Sequence, residues 1–391
     1  MTTLAHKREN SLPGGAPVDI WLLLATLFLA GFGVVMVSSA SLHLAGTAGA
    51  PFSYLGKHLV ALTLGLGGAL MALQVPVRWM EKASPALYFI GIVLLVLVLL
   101  PGVGKTVNGA TRWVAVGSFN LQTSEFMKLF MIFYMAGYLV RRKVEVAHTI
   151  WGVIKPLVLV LLAALLLMAQ PDFGTTVVIL ATALGMLFLG GAPLWQFGLL
   201  IVGALLGGAA LVITSPYRLE RVTSFLNPWA DPLDSGYQLS QALIAFGRGE
   251  WTGVGLGNGI QKQFYLPEAH TDFIMAVIGE EFGLLGTLVV ILLFSILVWR
   301  AFSIGAAAEA AGKRFGAYVA YGIGLWIGMQ AFINIGVNVG MLPTKGLTLP
   351  FISYGSNSII VTLVAIGVLL RIHWENRTGN ESPGGLPWRA S

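Results

Sequence analysis

Long apolar runs separated by short polar segments constrain this chain more than any other feature. Ten runs are long enough to cross a lipid bilayer as α-helices, which takes about 20 residues each. Only helices and closed barrels satisfy every backbone polar group within a bilayer. The sequence therefore predicts an all-α polytopic membrane protein with ten transmembrane helices, at roughly 19–40, 55–75, 84–101, 121–140, 151–169, 173–190, 195–214, 272–299, 315–340 and 350–371.

The composition agrees with a chain that lies almost wholly in a membrane. Of 391 residues, 56% are hydrophobic and 10% are charged, whereas soluble domains carry about 25% charged residues. The absence of cysteine excludes disulfides and thiolate metal sites. The net charge of +6 requires no nucleic acid as a partner, because basic cytoplasmic loops account for it. The first apolar run is too long for a signal-peptide core, so we expect it to be retained.

The distribution of Lys and Arg sets the expected orientation. Most of them fall on one side of the spans, which the positive-inside rule assigns to the cytoplasm. Both termini are then cytoplasmic, with a tail at 1–18, a membrane domain at 19–371 and a second tail at 372–391. The longest outer segment, 215–271, joins spans seven and eight. It contains an amphipathic helix, either on the membrane surface or against the bundle, with apolar positions Leu239, Ala242, Leu243 and Phe246.

The junction between this outer segment and the eighth span carries the most informative carboxylate. Asp272 stands where a membrane helix meets water, two residues after His270. A carboxylate at a helix N-terminus can remain ionised, and at this depth it can reach a lipid-linked substrate. Simple dipole compensation is the alternative for Asp272, as for Asp172 at the start of another span. Ala276 and Gly279 share a helix face with Asp272 and would let a second helix approach closely.

Other polar residues in the spans favour structural roles. Glu280 and Glu281 fall within the expected hydrocarbon region, where ion pairs are favoured over proton handling. Glu125 and Lys128 are three residues apart and can form an ion pair at a cavity wall. A polar seam between helices is the favoured role of Asn334 and Asn338.

Cations on the outer side suggest an anionic ligand. Arg112, Lys345, Arg218 and Arg221 lie there against the positive-inside rule, and phosphate is the natural candidate. Each of them alone also fits a lipid headgroup contact.

Two glycine-rich motifs are weak signals. The stretch 102–106 lacks the first glycine of a phosphate loop. For 253–259 a turn is favoured over backbone donors to a pyrophosphate.

Several motifs together resemble the SEDS family (shape, elongation, division and sporulation). The similarity extends from the first span to the tenth, and two further stretches, 245–250 and 255–258, are more similar to the division members than to the elongation members. The motifs are Tyr265-Leu-Pro-Glu-Ala-His-Thr-Asp-Phe-Ile274, Leu342-Pro-Thr-Lys-Gly-Leu-Thr-Leu-Pro-Phe-Ile-Ser-Tyr-Gly-Ser356, Asn108-Gly-Ala-Thr-Arg-Trp113, Gln170-Pro-Asp-Phe-Gly174, Phe225-Leu-Asn-Pro-Trp-Ala-Asp-Pro232 and Gly236-Tyr-Gln238.

The resemblance implies a glycosyltransferase that polymerises lipid II on the periplasmic face of the bacterial inner membrane, here at the division septum. It implies Asp272 as the catalytic carboxylate, and a general base is what a sugar hydroxyl requires. Candidate substrate-binding residues are Arg112, Lys345, Glu125, Lys128, Ser353, Ser356 and His270. With this location of the activity, the outer segment 215–271 is a long periplasmic loop.

The implied partners are lipid II, glycan linked to undecaprenyl pyrophosphate, membrane lipids, a class B penicillin-binding transpeptidase of the FtsI type and division regulators. The resemblance implies no particular cofactor, and a divalent cation, magnesium or manganese, could assist the departure of pyrophosphate. Three alternatives stay open: a lipid II flippase or transporter, an elongation-type polymerase, and a scaffold of the division complex.

Overall fold

The fold is a bundle of long helices. The computed structural model describes residues 18–47, 52–107, 109–117, 119–214, 219, 223–234, 236–344 and 346–379. The predicted tails at 1–18 and 372–391 lie largely outside these ranges. The helices are α1 (Ile20–Thr47), α2 (Ser53–Gln74), α3 (Val77–Leu99), α4 (Thr123–Arg141), α5 (Lys143–His148), α6 (Ile150–Ala169), α7 (Phe173–Leu189), α8 (Leu194–Ile213), α9 (Tyr237–Gly249), α10 (Ile274–Ala310), α11 (Arg314–Asn338) and α12 (Ser356–Thr378).

Among the described residues, seven helices are long and apolar enough to cross a membrane, namely α1, α2, α3, α6, α10, α11 and α12. Helix α7 and the stretch 194–210 of α8 are apolar but shorter, and α4 is more polar because it carries Glu125, Lys128 and Arg141. These three account for the difference from the ten predicted spans. The predicted division at Pro171 is confirmed, because α6 ends at Ala169 and α7 begins at Phe173.

The prediction of an all-α chain was incomplete. The connection between α3 and α4 forms a three-stranded antiparallel sheet of β1 (Gly104–Val107), β2 (Ala110–Val116) and β3 (Phe119–Gln122). Such short strands leave little periodicity in a sequence. The turns use Gly109 and Gly117 at positive φ, a conformation that glycine adopts without steric cost. The rejected phosphate-loop motif is largely part of β1.

Helix α10 is interrupted at Gly283, where we predicted a continuous span. Gly283 has φ 63° and ψ −159°, a region open essentially only to glycine. The glycine-rich segment 249–259 fills the interruption with its backbone. The N–H groups of Val254 and Gly255 donate to the carbonyls of Glu280 and Glu281 at 3.0 Å each. The segment is therefore a structural turn, as favoured from the sequence.

The amphipathic helix of the outer segment is confirmed as α9, and it packs against the bundle. Leu239 and Ala242 are buried. A Cβ at Gly279 would lie 2.3 Å from the Phe246 ring, so only a glycine admits α9 at this distance. The small residues below Asp272 therefore allow close packing, as predicted. Helix α11 packs along α10, and α12 along α2.

Candidate active site

Asp272 lies two residues before α10 and is half-buried. Its backbone carbonyl accepts hydrogen bonds from the side-chain amides of Asn334 and Asn338, both at 2.9 Å. Asn338 also accepts from the N–H of Ala276 at 3.0 Å, which satisfies one donor of the first helical turn. The predicted asparagine seam thus exists, and it fixes the position of Asp272.

The Asp272 carboxylate lies against the loop between α11 and α12. A Cβ built on Gly346 would be 3.1 Å from Asp272 Oδ2, so the glycine lets the carboxylate come close to the backbone. Asn334 ties the same loop to α11 by donating to the carbonyl of Leu347 at 2.6 Å. Lys345, next to Gly346, lies outside the described residues, as do Arg218 and Arg221.

Ser353 holds two loops together rather than opening onto solvent. Its hydroxyl donates to the carbonyl of Thr271 at 2.6 Å and accepts from the N–H of Leu349 at 2.7 Å. The N–H of Tyr354 donates to the carbonyl of His270 at 2.9 Å. Ser353 therefore positions the residues that precede Asp272. Ser356 is half-buried in the first turn of α12.

His270 belongs to a cluster of rings at the start of α2. Its ring centroid is 5.1 Å from that of Tyr54 and 5.6 Å from that of Tyr354. Its Nδ1 is buried with no hydrogen-bond partner among the described residues. Burial lowers the pKa of His270 below 6.5, and the nearby Glu268 carboxylate opposes this shift. The ring is therefore neutral at pH 7.

Arg112 on β2 binds the turn before α7. Its Nε donates to the carbonyl of Gln170 at 3.3 Å, and its Nη2 donates to the carbonyl of Pro171. Nη1 is 4.0 Å from Asp172 Oδ1. These contacts use only part of the five N–H donors of a guanidinium. The remaining donors can serve an anionic ligand.

Asp172 has more contacts than a helix cap requires. Its Oδ1 accepts from the N–H of Thr175 at 3.3 Å, which is the predicted capping contact. The same carboxylate neutralises Arg112. Its Oδ2 is buried with no hydrogen-bond partner among the described residues. The sequence offered no signal for the link to Arg112, because the two residues are far apart in the chain.

Glu125 and Lys128 form the predicted ion pair on α4, with Oε2 and Nζ 2.9 Å apart. The lysine side chain is 1% exposed. Its Nζ also donates to Gln330 at 2.8 Å and lies 4.9 Å from the centre of the Trp326 ring. A buried charge with these contacts is compensated within the protein. Gln330, which sequence reasoning missed, continues the network by donating to the carbonyl of Thr348 at 2.9 Å.

A small polar cavity of about 50 Å³ lies between the start of α4, the start of α7 and the loop that precedes α12. Glu125 and Asp172 line it from the helix side, and Gly346 lines it from the loop that touches Asp272. Gly346 is therefore a neighbour of both the cavity and the Asp272 carboxylate. The complete lining is Gln122, Glu125, Asp172, Thr175, Gly346, Leu347, Thr348, Gly355 and Ser358.

Glu280 and Glu281 are both in ion pairs, as favoured from the sequence. Glu280 is bound by Arg248 at 2.7 Å and accepts from the N–H of Ile260 at 3.0 Å. Glu281 is bound by the buried Lys262 at 2.5 Å and by Ser39 at 2.9 Å. These pairs anchor the outer segment to α10 and α1.

The described residues contain no group of three His, Asp or Glu side chains that could hold a metal ion. Magnesium is commonly held by one or two carboxylates together with substrate phosphates. The half-buried Asp272 fits that mode, and a cage made of protein groups alone does not fit this part of the chain.

Comparison with known proteins identifies the family. The FtsW/RodA/SpoVE family model, described as "Cell cycle protein", matches residues 20–378. This chain belongs to the FtsW/RodA/SpoVE family. The resemblance to SEDS proteins seen in the motifs is thereby confirmed.

Similar FtsW/RodA/SpoVE proteins extend over nearly the whole chain. A protein named probable peptidoglycan glycosyltransferase FtsW, from Allochromatium vinosum, is 60% identical over 378 residues, covering 95% of this chain and 94% of its own. A protein of the same name from Nitrosococcus halophilus is 56% identical, covering 94% and 96%.

Solved structures share the fold. A chain from work titled "Structural coordination of polymerization and crosslinking by a peptidoglycan synthase complex" has a TM-score of 0.75 and 29% identity, covering 92% of this chain and 99% of its own. The rod shape determining protein RodA of Thermus thermophilus has a TM-score of 0.69 and 27% identity, covering 92% and 97%.

Proposed function

We propose that this protein is a peptidoglycan glycosyltransferase that polymerises lipid II into glycan strands during septal cell-wall synthesis. One observation carries the proposal. The carboxylate of Asp272 is half-buried at the N-terminal end of α10, and two asparagines fix its backbone. The names of the FtsW relatives and their high identity support the substrate and the division role.

The proposed topology follows from this role. Helices α1–α4, α6–α8 and α10–α12 form ten spans, with both termini in the cytoplasm. The membrane domain is 19–371 and the tails are 1–18 and 372–391. The segment 215–271 and the sheet then lie in the periplasm, so that Asp272 faces the leaflet in which lipid II is presented. The protein acts in the inner membrane at the septum.

Asp272 serves as the general base. The donor is the growing strand on undecaprenyl pyrophosphate, and the acceptor is the 4-hydroxyl of the next lipid II. A hydroxyl is a poor nucleophile, so a base must accept its proton as the new glycosidic bond forms. The carbon–oxygen bond to pyrophosphate breaks with inversion at the sugar. One carboxylate suffices, because pyrophosphate leaves without a strong acid.

Cations stabilise the negative charge that develops on pyrophosphate. Arg112 and Lys345 serve this role, and Asp172 with the 170–171 carbonyls holds Arg112 in place. A magnesium or manganese ion bound by Asp272 and the phosphates would supply further charge. His270 and Ser356 contact the substrate, and Ser353 holds the residues that precede Asp272. Glu125, paired with Lys128, lines the small cavity that also touches Gly346.

A class B penicillin-binding transpeptidase of the FtsI type is the proposed partner, together with division regulators. The similarity to a chain of a peptidoglycan synthase complex supports this assignment. The surface for it is formed by the outer segment and the outward faces of the spans.

The alternatives have less support. The carboxylates within the spans that suggested transport, Glu280 and Glu281, are held in ion pairs, as is Lys128. The higher identity to FtsW relatives than to RodA favours the division type over the elongation type.

A reconstituted reaction tests the function. Purified protein, with and without its transpeptidase, is incubated with lipid II already dissolved in detergent, and the products are separated by length. We expect long glycan strands with the partner present. A flippase or a scaffold has no product to make in detergent, so the absence of glycan in both conditions would refute the proposal.

A further inference from the structure

A group of exposed cations lies at the ends of α3, α4 and α6 that are remote from the sheet. We call it the basic patch, and its members are Arg78, Lys82, Arg141, Arg142, Lys143 and Lys155. They come from the start of α3, the end of α4, the short helix α5 and the start of α6. The patch plays no part in the proposed catalysis.

Direct contacts bring these three helix ends together. The hydroxyl of Tyr138 on α4 donates to the carbonyl of Gly152 on α6 at 2.9 Å. A Cβ at Gly137 would lie 2.7 Å from Ser84 Oγ of α3 and 2.9 Å from the guanidinium of Arg141. The six cations therefore stand on helix ends that contact one another at one end of the bundle.

The patch carries more positive charge than its own carboxylates can neutralise. The described residues of these helix ends place six exposed cations beside two carboxylates, Glu81 and Glu145. Glu145 already binds two cations, Arg142 at 3.4 Å and Lys155 at closer range. The hydrogen bond from Lys155 lowers the pKa of Glu145, and Arg142 acts in the same direction, so this carboxylate stays ionised.

Two other cations on the same side of the bundle are neutralised by ion pairs within the protein. Arg300 binds both oxygens of Asp19, at 2.5 to 3.2 Å. The buried Arg371 pairs with Glu375 at 2.7 Å. The positive-inside rule alone does not distinguish these internal pairs from the exposed cations of the patch. The surplus charge thus points to an external anion.

Aromatic and apolar side chains border the basic patch. Trp79 is 58% exposed, Trp151 is 63% exposed and Val144 is 74% exposed. Tryptophan is favoured at the membrane–water interface, where its ring lies at headgroup level. Cations beside interfacial rings match a ligand that has both a phosphate and acyl chains.

We propose that the basic patch is a binding site for anionic phospholipid of the inner leaflet. The cations bind the phosphodiester and the tryptophans pack against the upper part of the acyl chains. This inference rests on the orientation of the bundle and not on glycosyl transfer, so failure of either proposal leaves the other standing.

The test measures the melting temperature of the purified full chain in detergent with added phosphatidylglycerol or phosphatidylethanolamine. The patch variant is Arg142→Gln with Lys143→Gln. The matched control is Arg314→Gln with Arg377→Gln, two exposed cations at the ends of α11 and α12. A second patch variant, Arg78→Gln with Lys82→Gln, changes α3 in case the first pair does not fold.

We expect phosphatidylglycerol to raise the melting temperature of the wild type and the control to the same extent. Each patch variant should need at least about tenfold more lipid for the same rise. Equal responses of patch and control variants would overturn the proposal, as would equal stabilisation by phosphatidylethanolamine. Displacement of the lipid by an acidic peptide at physiological salt would also overturn it, in favour of a protein partner.

Discussion

Asp272 is positioned through its main chain. Asn334 and Asn338 bind its carbonyl, and Ser353 binds the carbonyl of the preceding residue. Gly346 sets how closely the carboxylate approaches the facing loop. Because these contacts use main-chain atoms, the carboxylate keeps its position and stays accessible while a large lipid-linked substrate binds and leaves.

His270 should make the fold sensitive to acid. Its pKa lies below 6.5 in the folded protein because the ring is buried. Between that lower value and 6.5 the unfolded chain binds more protons, so stability falls as the pH drops through this window. We expect the melting temperature of the wild type to fall more between pH 7.5 and 5.5 than that of His270→Gln. The same pH dependence in both proteins would exclude this role of the imidazole.

At the scale of elements, the interruption of α10 is the least regular feature of the bundle. The carbonyls of Glu250 and Trp251 accept from the N–H groups of Leu284 and Leu285, at 2.9 and 3.1 Å. The glycine-rich segment therefore replaces the helical hydrogen bonds on both sides of Gly283. This arrangement couples the outer segment to the helix that begins just after Asp272.

Replacing Gly283 should be far more damaging than replacing a nearby helical glycine. An alanine Cβ at Gly283 would lie 2.5 Å from the nitrogen of Gly253, and the backbone conformation alone costs about 1–3 kcal/mol for other residues. Gly247 in α9 has no atom within 4 Å of such a Cβ. We expect Gly283→Ala to lower the melting temperature strongly and Gly247→Ala to leave it unchanged or higher. Similar melting temperatures would show that the interruption is not required.

Sequence reasoning located elements that depend on local composition. The apolar run that starts at 173 coincides with the start of α7, and the spacing of Leu239 and Ala242 found α9. It missed the interruption, since Gly283 is one residue in an apolar run and its conformation depends on the distant segment 249–255. The predicted third span began at 84, whereas α3 begins at Val77, because the first turns of that helix are polar.

In the candidate site too, features that depend on local sequence were predicted, and contacts between distant segments were missed. Asp272 and the pair Glu125–Lys128 were identified from motifs and local spacing. The contact between Arg112 and Asp172 was not, because it joins a strand to a helix start across three intervening helices. The involvement of Gln330 depends in the same way on the packing of α11 against α4.

For the whole molecule, the proposed orientation can be tested with single cysteines, because the chain has none. Leu233 in the outer segment is 86% exposed and Val144 in α5 is 74% exposed. In intact spheroplasts, a membrane-impermeant maleimide should label Leu233→Cys and not Val144→Cys. After lysis it should label both. Labelling of Val144→Cys before lysis, with Leu233→Cys unlabelled, would show that the orientation is the reverse of the proposed one.

The most direct test of the account compares Asp272→Asn with Glu268→Gln. Both replace a carboxylate by its amide in the same segment, and Glu268 is exposed. With lipid II and the transpeptidase present, we expect Asp272→Asn to polymerise at least about 100-fold more slowly than the wild type, the usual minimum for loss of a general base. Glu268→Gln should retain its rate, and both variants should melt like the wild type. A folded Asp272→Asn protein that makes glycan at the wild-type rate would contradict the central claim.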